Sequence, residues 1–110
     1  MTAPVFGYTP QKRDLALTTG ADFFLTMVLQ GTATWPAGTQ LRIDIATQTW
    51  NAYIDETTAR WRVESALCDI IEDKTPYTMT VSYPGTDAEN PTYRDDIVWF
   101  YGKAKRTRLT

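Results

Sequence analysis

The residues that carry acid–base and nucleophilic chemistry are scarce in this sequence. Histidine is absent, and cysteine occurs once, at Cys68. Without histidine the commonest general base is missing, and with it the usual serine and cysteine triads and most zinc sites. Cys68 lies in Ala66-Leu67-Cys68-Asp69-Ile70-Ile71, an apolar setting that reads as core rather than as an activated thiolate. Three acid pairs remain: Asp55/Glu56, Glu72/Asp73 and Asp95/Asp96. Each stands beside an expected turn, where acids serve as caps and solvated charges. A hydrolytic pair must instead face one cleft from two sides. No phosphate-cradling glycine loop or calcium-loop spacing occurs. Asn90-Pro91-Thr92 fails as a glycosylation acceptor because proline holds the middle position. The expectation is a protein that binds or builds, with no catalytic residue, no metal site and no cofactor.

Binding chemistry is better supplied. Aromatic residues make up 13% of the chain: four Trp, six Tyr and four Phe. Arg60-Trp61-Arg62 either stacks on a nucleic acid or a sugar or, more simply, is an alternating strand with its Trp in the core. The net charge is −2, but Lys103, Lys105, Arg106 and Arg108 give the last eight residues +4, so the remainder carries −6. A basic end on an acidic body suits nucleic acid or an acidic neighbouring subunit, or remains solvated. Four charges are too few to define a nucleic-acid binder, and nucleic acid is not an expected partner.

The elements that must position these groups follow from periodicity. Residues 1–12 contain Pro4, Gly7 and Pro10 and read as an extended arm, with a reach of about 40 Å. The arm carries Phe6 and Tyr8, which either fold back on their own domain or meet a neighbour. Strands are expected at 15–18, 22–30, 40–47, 49–54, 59–64, 77–83 and 96–105, with a short helical turn at 65–71. In 40–47, Leu41, Ile43 and Ile45 alternate with Arg42 and Asp44, the period of a half-buried strand. In 59–64, Trp61 and Val63 alternate with Arg60, Arg62 and Glu64.

About seven short strands with regular turns predict an all-β fold, an immunoglobulin-like antiparallel β-sandwich with an extended N-terminal arm. The domain spans 13–104, between the arm at 1–12 and a basic tail at 105–110. Asp73 and Met79 around Tyr77 have the spacing of a tyrosine corner or of an ordinary turn before a strand. Two strands are apolar on both faces: Phe23, Leu25, Met27 and Leu29 oppose Phe24 and Val28, and Ile97, Trp99 and Tyr101 oppose Val98 and Phe100. A two-layer sandwich buries one face of each sheet, so the second face needs a loop, the arm or another chain. The candidate interface is therefore Phe6, Tyr8, Phe24, Val28, Val98, Phe100, Lys103, Lys105, Arg106 and Arg108. No run reaches the ~18 apolar residues of a membrane span. The N-terminus does not read as a secretory signal. The lone cysteine suits a reducing compartment.

The stretch from Gly7 to Phe23, with its core Arg13-Asp14-Leu15-Ala16-Leu17-Thr18-Thr19-Gly20-Ala21-Asp22-Phe23, resembles the opening of small proteins encoded by actinobacterial phages, the LtfC-like β-sandwich family. The Trp35-Pro36-Ala37-Gly38-Thr39 turn and the ending Tyr101 to Arg106 are similar as well, while residues 46–72 show no clear likeness. The resemblance implies a non-enzymatic structural component of a tailed phage virion, made in the host cytoplasm. Its partners would be itself, as a homo-oligomer, and capsid, tail or connector proteins. Other readings are a carbohydrate- or host-surface-binding sandwich, with Trp35 and Trp50 as its platform, and a small enzyme or nucleic-acid regulator.

Overall fold

A computed structural model of the chain describes residues 9–28, 34–85, 89 and 94–108. Nine strands and one helical turn follow in order among them: β1 Gln11–Lys12, β2 Leu15–Thr18, β3 Phe23–Val28, β4 Gln40–Ile45, β5 Gln48–Asn51, β6 Tyr53–Asp55, β7 Thr58–Val63, α1 Ser65–Cys68, β8 Pro76–Pro84 and β9 Arg94–Thr107. One sheet has the order β1-β9-β8-β4-β5, with β2 also on β9, and the other has β3-β7-β6. This is the strand order of an immunoglobulin-like sandwich. The periodicity anticipates about seven strands. Two more arise because β1 is a short addition and because 49–54 divides at Ala52, where the chain passes from one sheet to the other.

The sandwich is not wholly antiparallel. β1 and β2 run parallel to β9, with Gln11 opposite Phe100 and Leu15 opposite Ala104. The base of the expected arm is thus the sheet edge, and Lys105, Arg106 and Thr107 of the expected tail lie in β9 opposite β2. Between β1 and β2 the backbone crosses Gly102 so closely that a Cβ there would lie 2.1 Å from the Arg13 carbonyl oxygen. The fold requires glycine at this position because two backbones meet there.

Alternation decides what lies inside. Leu41, Ile43 and Ile45 of β4, Tyr77, Met79 and Val81 of β8, and Trp61 and Val63 of β7 are buried together. Each such aliphatic side chain stabilises the fold by about 1.5–3 kcal/mol through burial. Trp61 also donates its indole N–H to the Trp50 carbonyl, 3.0 Å away, which satisfies its one polar atom inside the core. Cys68 is fully buried, and burial pushes its thiol above the ordinary value of 9.0.

Candidate interaction surface

A bulge decides the outward face of the last strand. β8 and β9 pair Thr80 with Val98 but Met79 with Phe100, so Trp99 is the extra residue. An inserted residue reverses the side-chain alternation beyond it. Phe100 therefore turns toward the core and Tyr101 toward solvent, opposite to the strict alternation expected from sequence. Phe100 is half-buried beneath the Arg13 guanidinium, 5.7 Å from its ring. Its assignment to the outer interface is corrected. Val98 does face outward, beside the small polar side chains of β8.

Arg106 is a second correction. Its side chain is only 5% exposed, and its guanidinium donates to the carbonyls of Cys68 and Ile71 and to the Thr19 hydroxyl. Asp69 lies 3.7 Å away, and the Arg106 backbone N–H donates to Asp73. These bonds tie the end of β9 to the α1 segment, so the charge serves the fold and is withdrawn from any partner. Lys103, Lys105 and Arg108 are exposed, and Lys105 pairs with Asp14 at 3.3 Å. The Lys103 backbone N–H and the Lys105 ammonium hold the Asp14 carboxyl below its ordinary value of 3.8.

The outer face of β3-β7-β6 gathers the most binding chemistry. Phe24 and Val28 are 65% and 61% exposed, as expected of the outward face of β3. β7 presents Arg62 opposite Phe24 and Arg60 between Thr26 and Tyr53. The Arg62 guanidinium lies 5.8 Å from the Phe24 ring centroid, and that of Arg60 lies 5.3 Å from Tyr53. Arg62 is also paired with Asp22 and Glu64. Exposed aromatic rings capped by arginines are the side-chain types that concentrate binding energy at protein interfaces. Tyr53 was not singled out from sequence, although its outward position follows from Ile54 pointing inward.

The candidate residues do not form one patch. Phe24 and Val28 lie on the outer face of one sheet, Val98 and Lys103 on the outer face of the other, with the core between. Phe6 and Tyr8 lie outside the described residues. Trp35 and Trp50, the proposed sugar platform, are both buried: Trp50 packs 5.5 Å from Phe23 and Trp35 packs 5.6 Å from Trp99. That platform is withdrawn. Among the described residues no group of three or more metal-ligating side chains occurs, and no helix is long and apolar enough to cross a membrane.

The sequence profile of the LtfC-like β-sandwich domain matches residues 9–107. The chain belongs to the LtfC-like β-sandwich family. The match covers both sheets of the structure from β1 to β9, including the β1–β2 edge and the bulged last strand. No curated protein and no solved structure matches the chain. An LtfC-like β-sandwich with aromatic and arginine side chains on its open face fits a structural role.

Proposed function

We propose that this LtfC-like domain is a non-enzymatic structural component of a tailed phage virion. It is an accessory module that docks on the capsid or on the tail and connector through its N-terminal arm and its outward strand faces. The observation that carries the docking reading is the exposed Phe24–Arg62 and Tyr53–Arg60 face of β3-β7-β6. A monomer has no folding use for two rings so exposed, and partner burial recovers their area. The virion assignment is supported by the family resemblance of residues 7–23 to phage proteins. In this reading the chain is made in the host cytoplasm and resides in the particle, with itself and other virion proteins as partners. It needs no cofactor.

Mass spectrometry of purified virions tests the proposal. The protein is expected in the particles at a defined copy number relative to the major capsid protein. A number in the hundreds places it on the capsid, and a small multiple of three or six places it on the tail or connector. Absence from purified particles overturns the assignment.

A further inference from the structure

Among the described residues the sandwich is open along one side. β2 and β3 are consecutive and joined by the turn at Thr19–Gly20, yet they do not pair with each other: β2 lies on β9 and β3 on β7. Between them runs a groove of about 540 Å³, within the usual size of a ligand cleft. Its floor is apolar: Leu25 and Met27 of β3, Tyr77 and Met79 of β8, and Phe100 of β9. Leu25 and Met27 pack against the core but remain only partly buried.

The upper wall is a free strand edge. β3 ends its sheet, and among the described residues no strand pairs with its second side. Such an edge, six residues long, offers a row of backbone donors and acceptors over about 20 Å. Apolar pockets beside a free edge take an extended segment as an added strand, which satisfies the backbone and inserts every second side chain.

The sequence holds one segment of that pattern outside the described residues. In Pro4-Val5-Phe6-Gly7-Tyr8, the rings of Phe6 and Tyr8 are two residues apart and share one side of an extended chain. The geometry points to this segment from a second copy as the occupant. β1 enters the sheet parallel to β9, with Gln11 beside Phe100. β3 runs back from the Thr19–Gly20 turn in the opposite direction, so a chain lying in its own groove has to reverse within Thr9–Pro10. At one end of the groove the covalent turn joins β2 to β3 and is held in place, the Gly20 N–H donating to Asp69 at 3.0 Å and the Thr19 N–H to the Thr107 carbonyl. A segment from a neighbour enters at the other end, near Met27, without such a reversal.

We therefore propose that residues 1–8 of one copy add as a strand to the free edge of β3 in another, with Phe6 and Tyr8 seated over Leu25 and Met27. This deepens the arm-mediated docking proposed above and rests on it.

The test compares the full chain with a chain lacking residues 1–8, which keeps every strand of both sheets. Sedimentation velocity is expected to show an oligomer for the first and a monomer for the second. A labelled peptide of residues 1–10 is expected to bind the truncated chain saturably. Affinity should fall at least tenfold when the peptide carries Phe6→Ser and Tyr8→Ser, changes that leave the domain untouched. Met27→Asp in the groove should do the same, with circular dichroism confirming the fold. The proposal is overturned if the truncated chain does not bind the peptide. It is equally overturned if truncation leaves the oligomer intact, or if the full chain is a monomer that refuses the peptide because its own segment fills the groove. Incorporation into virions is scored separately: peptide binding without incorporation removes only the virion reading, and incorporation without peptide binding removes only the groove assignment.

Discussion

The phenol of Tyr77 donates to the backbone carbonyl of Arg13, 64 residues earlier in the chain. Tyr77 stands where a tyrosine corner stands, two residues before the core position Met79, but its bond does not close the local turn as such corners do. It reaches across to the β1–β2 junction and holds the parallel edge in place. The Arg13 N–H in turn donates to Tyr101 at 2.8 Å, so this junction is bonded on both sides.

Tyr77→Phe removes the phenol and leaves a part-buried carbonyl unpaired. The expected loss is about 1–2 kcal/mol by urea denaturation, with little change in slope. Burial, with a smaller push from the Asp14 charge, raises the phenol above its ordinary value of 10.0. A raised phenol favours the folded state while it is protonated. Its contribution is therefore complete below pH 10 and is lost as pH rises through the folded value. Absorbance at the tyrosinate band should include a late-titrating step from the Tyr77 phenol, and Tyr77→Phe should remove that step.

Gly102→Ala places a methyl group 2.1 Å from the Arg13 carbonyl oxygen. The obstacle is backbone, so relief requires β1 and β2 to move off β9. The expected cost is about 3 kcal/mol, at the upper end of ordinary point mutations. Amide exchange should show lost protection at Arg13 and Thr19 before the β4–β8 pairing opens.

Arg106→Met removes the donors from the carbonyls of Cys68 and Ile71 and is expected to cost about 2–4 kcal/mol. Arg106→Lys should recover little, because an ammonium lacks the planar fork that serves both carbonyls at once. Lys105→Met, which removes an exposed pair with Asp14, should change stability by less than about 1 kcal/mol. Thermal unfolding of the three variants side by side checks the contrast.

Asp14 gives the acid side of the pH profile. Its carboxyl is held below 3.8, first by the Lys103 N–H and then by Lys105. A lowered carboxyl stabilises the fold above its unfolded value and loses that contribution as pH falls through the folded one. An NMR titration should place its midpoint below 3.8. Lys105→Met should move the midpoint only part of the way back, because the Lys103 N–H remains.

Tyr53→Ala and Arg60→Ala should each leave stability within about 1 kcal/mol, since both side chains lie on the outer face of β6 and β7. Retention on purified virions is expected to fall at least ~10-fold for each, as at an interface hot spot. Retention equal to that of the parent protein counts against this face as the docking surface.

Local chemistry was enough where one face of a strand meets the core. The alternation of Leu41, Ile43 and Ile45, and of Trp61 between Arg60 and Arg62, names the inward residues in advance, because burial rewards only one phase of a period-two pattern. The same reasoning fails at Phe100 and Tyr101. Their faces depend on an extra residue at Trp99, and that bulge exists only in the pairing with β8. It fails again at Trp35 and Trp50, which are placed near loops by sequence and are buried by contacts with Trp99 and Phe23.

By itself, the sequence determined that the chain is all-β, which residues of its regular strands face inward, and that its chemistry lacks histidine and any second thiol. These are matters of composition and period. Tertiary structure alone decided that Arg106 is buried as a clip rather than offered as a basic tail, and that β1 and β2 run parallel to β9 over Gly102. It also decided that, among the described residues, β3 has no strand on its second edge, above an apolar groove. Each of these depends on backbone groups brought together from distant parts of the chain, and hydrogen bonds between such groups leave no periodic trace in the order of side chains.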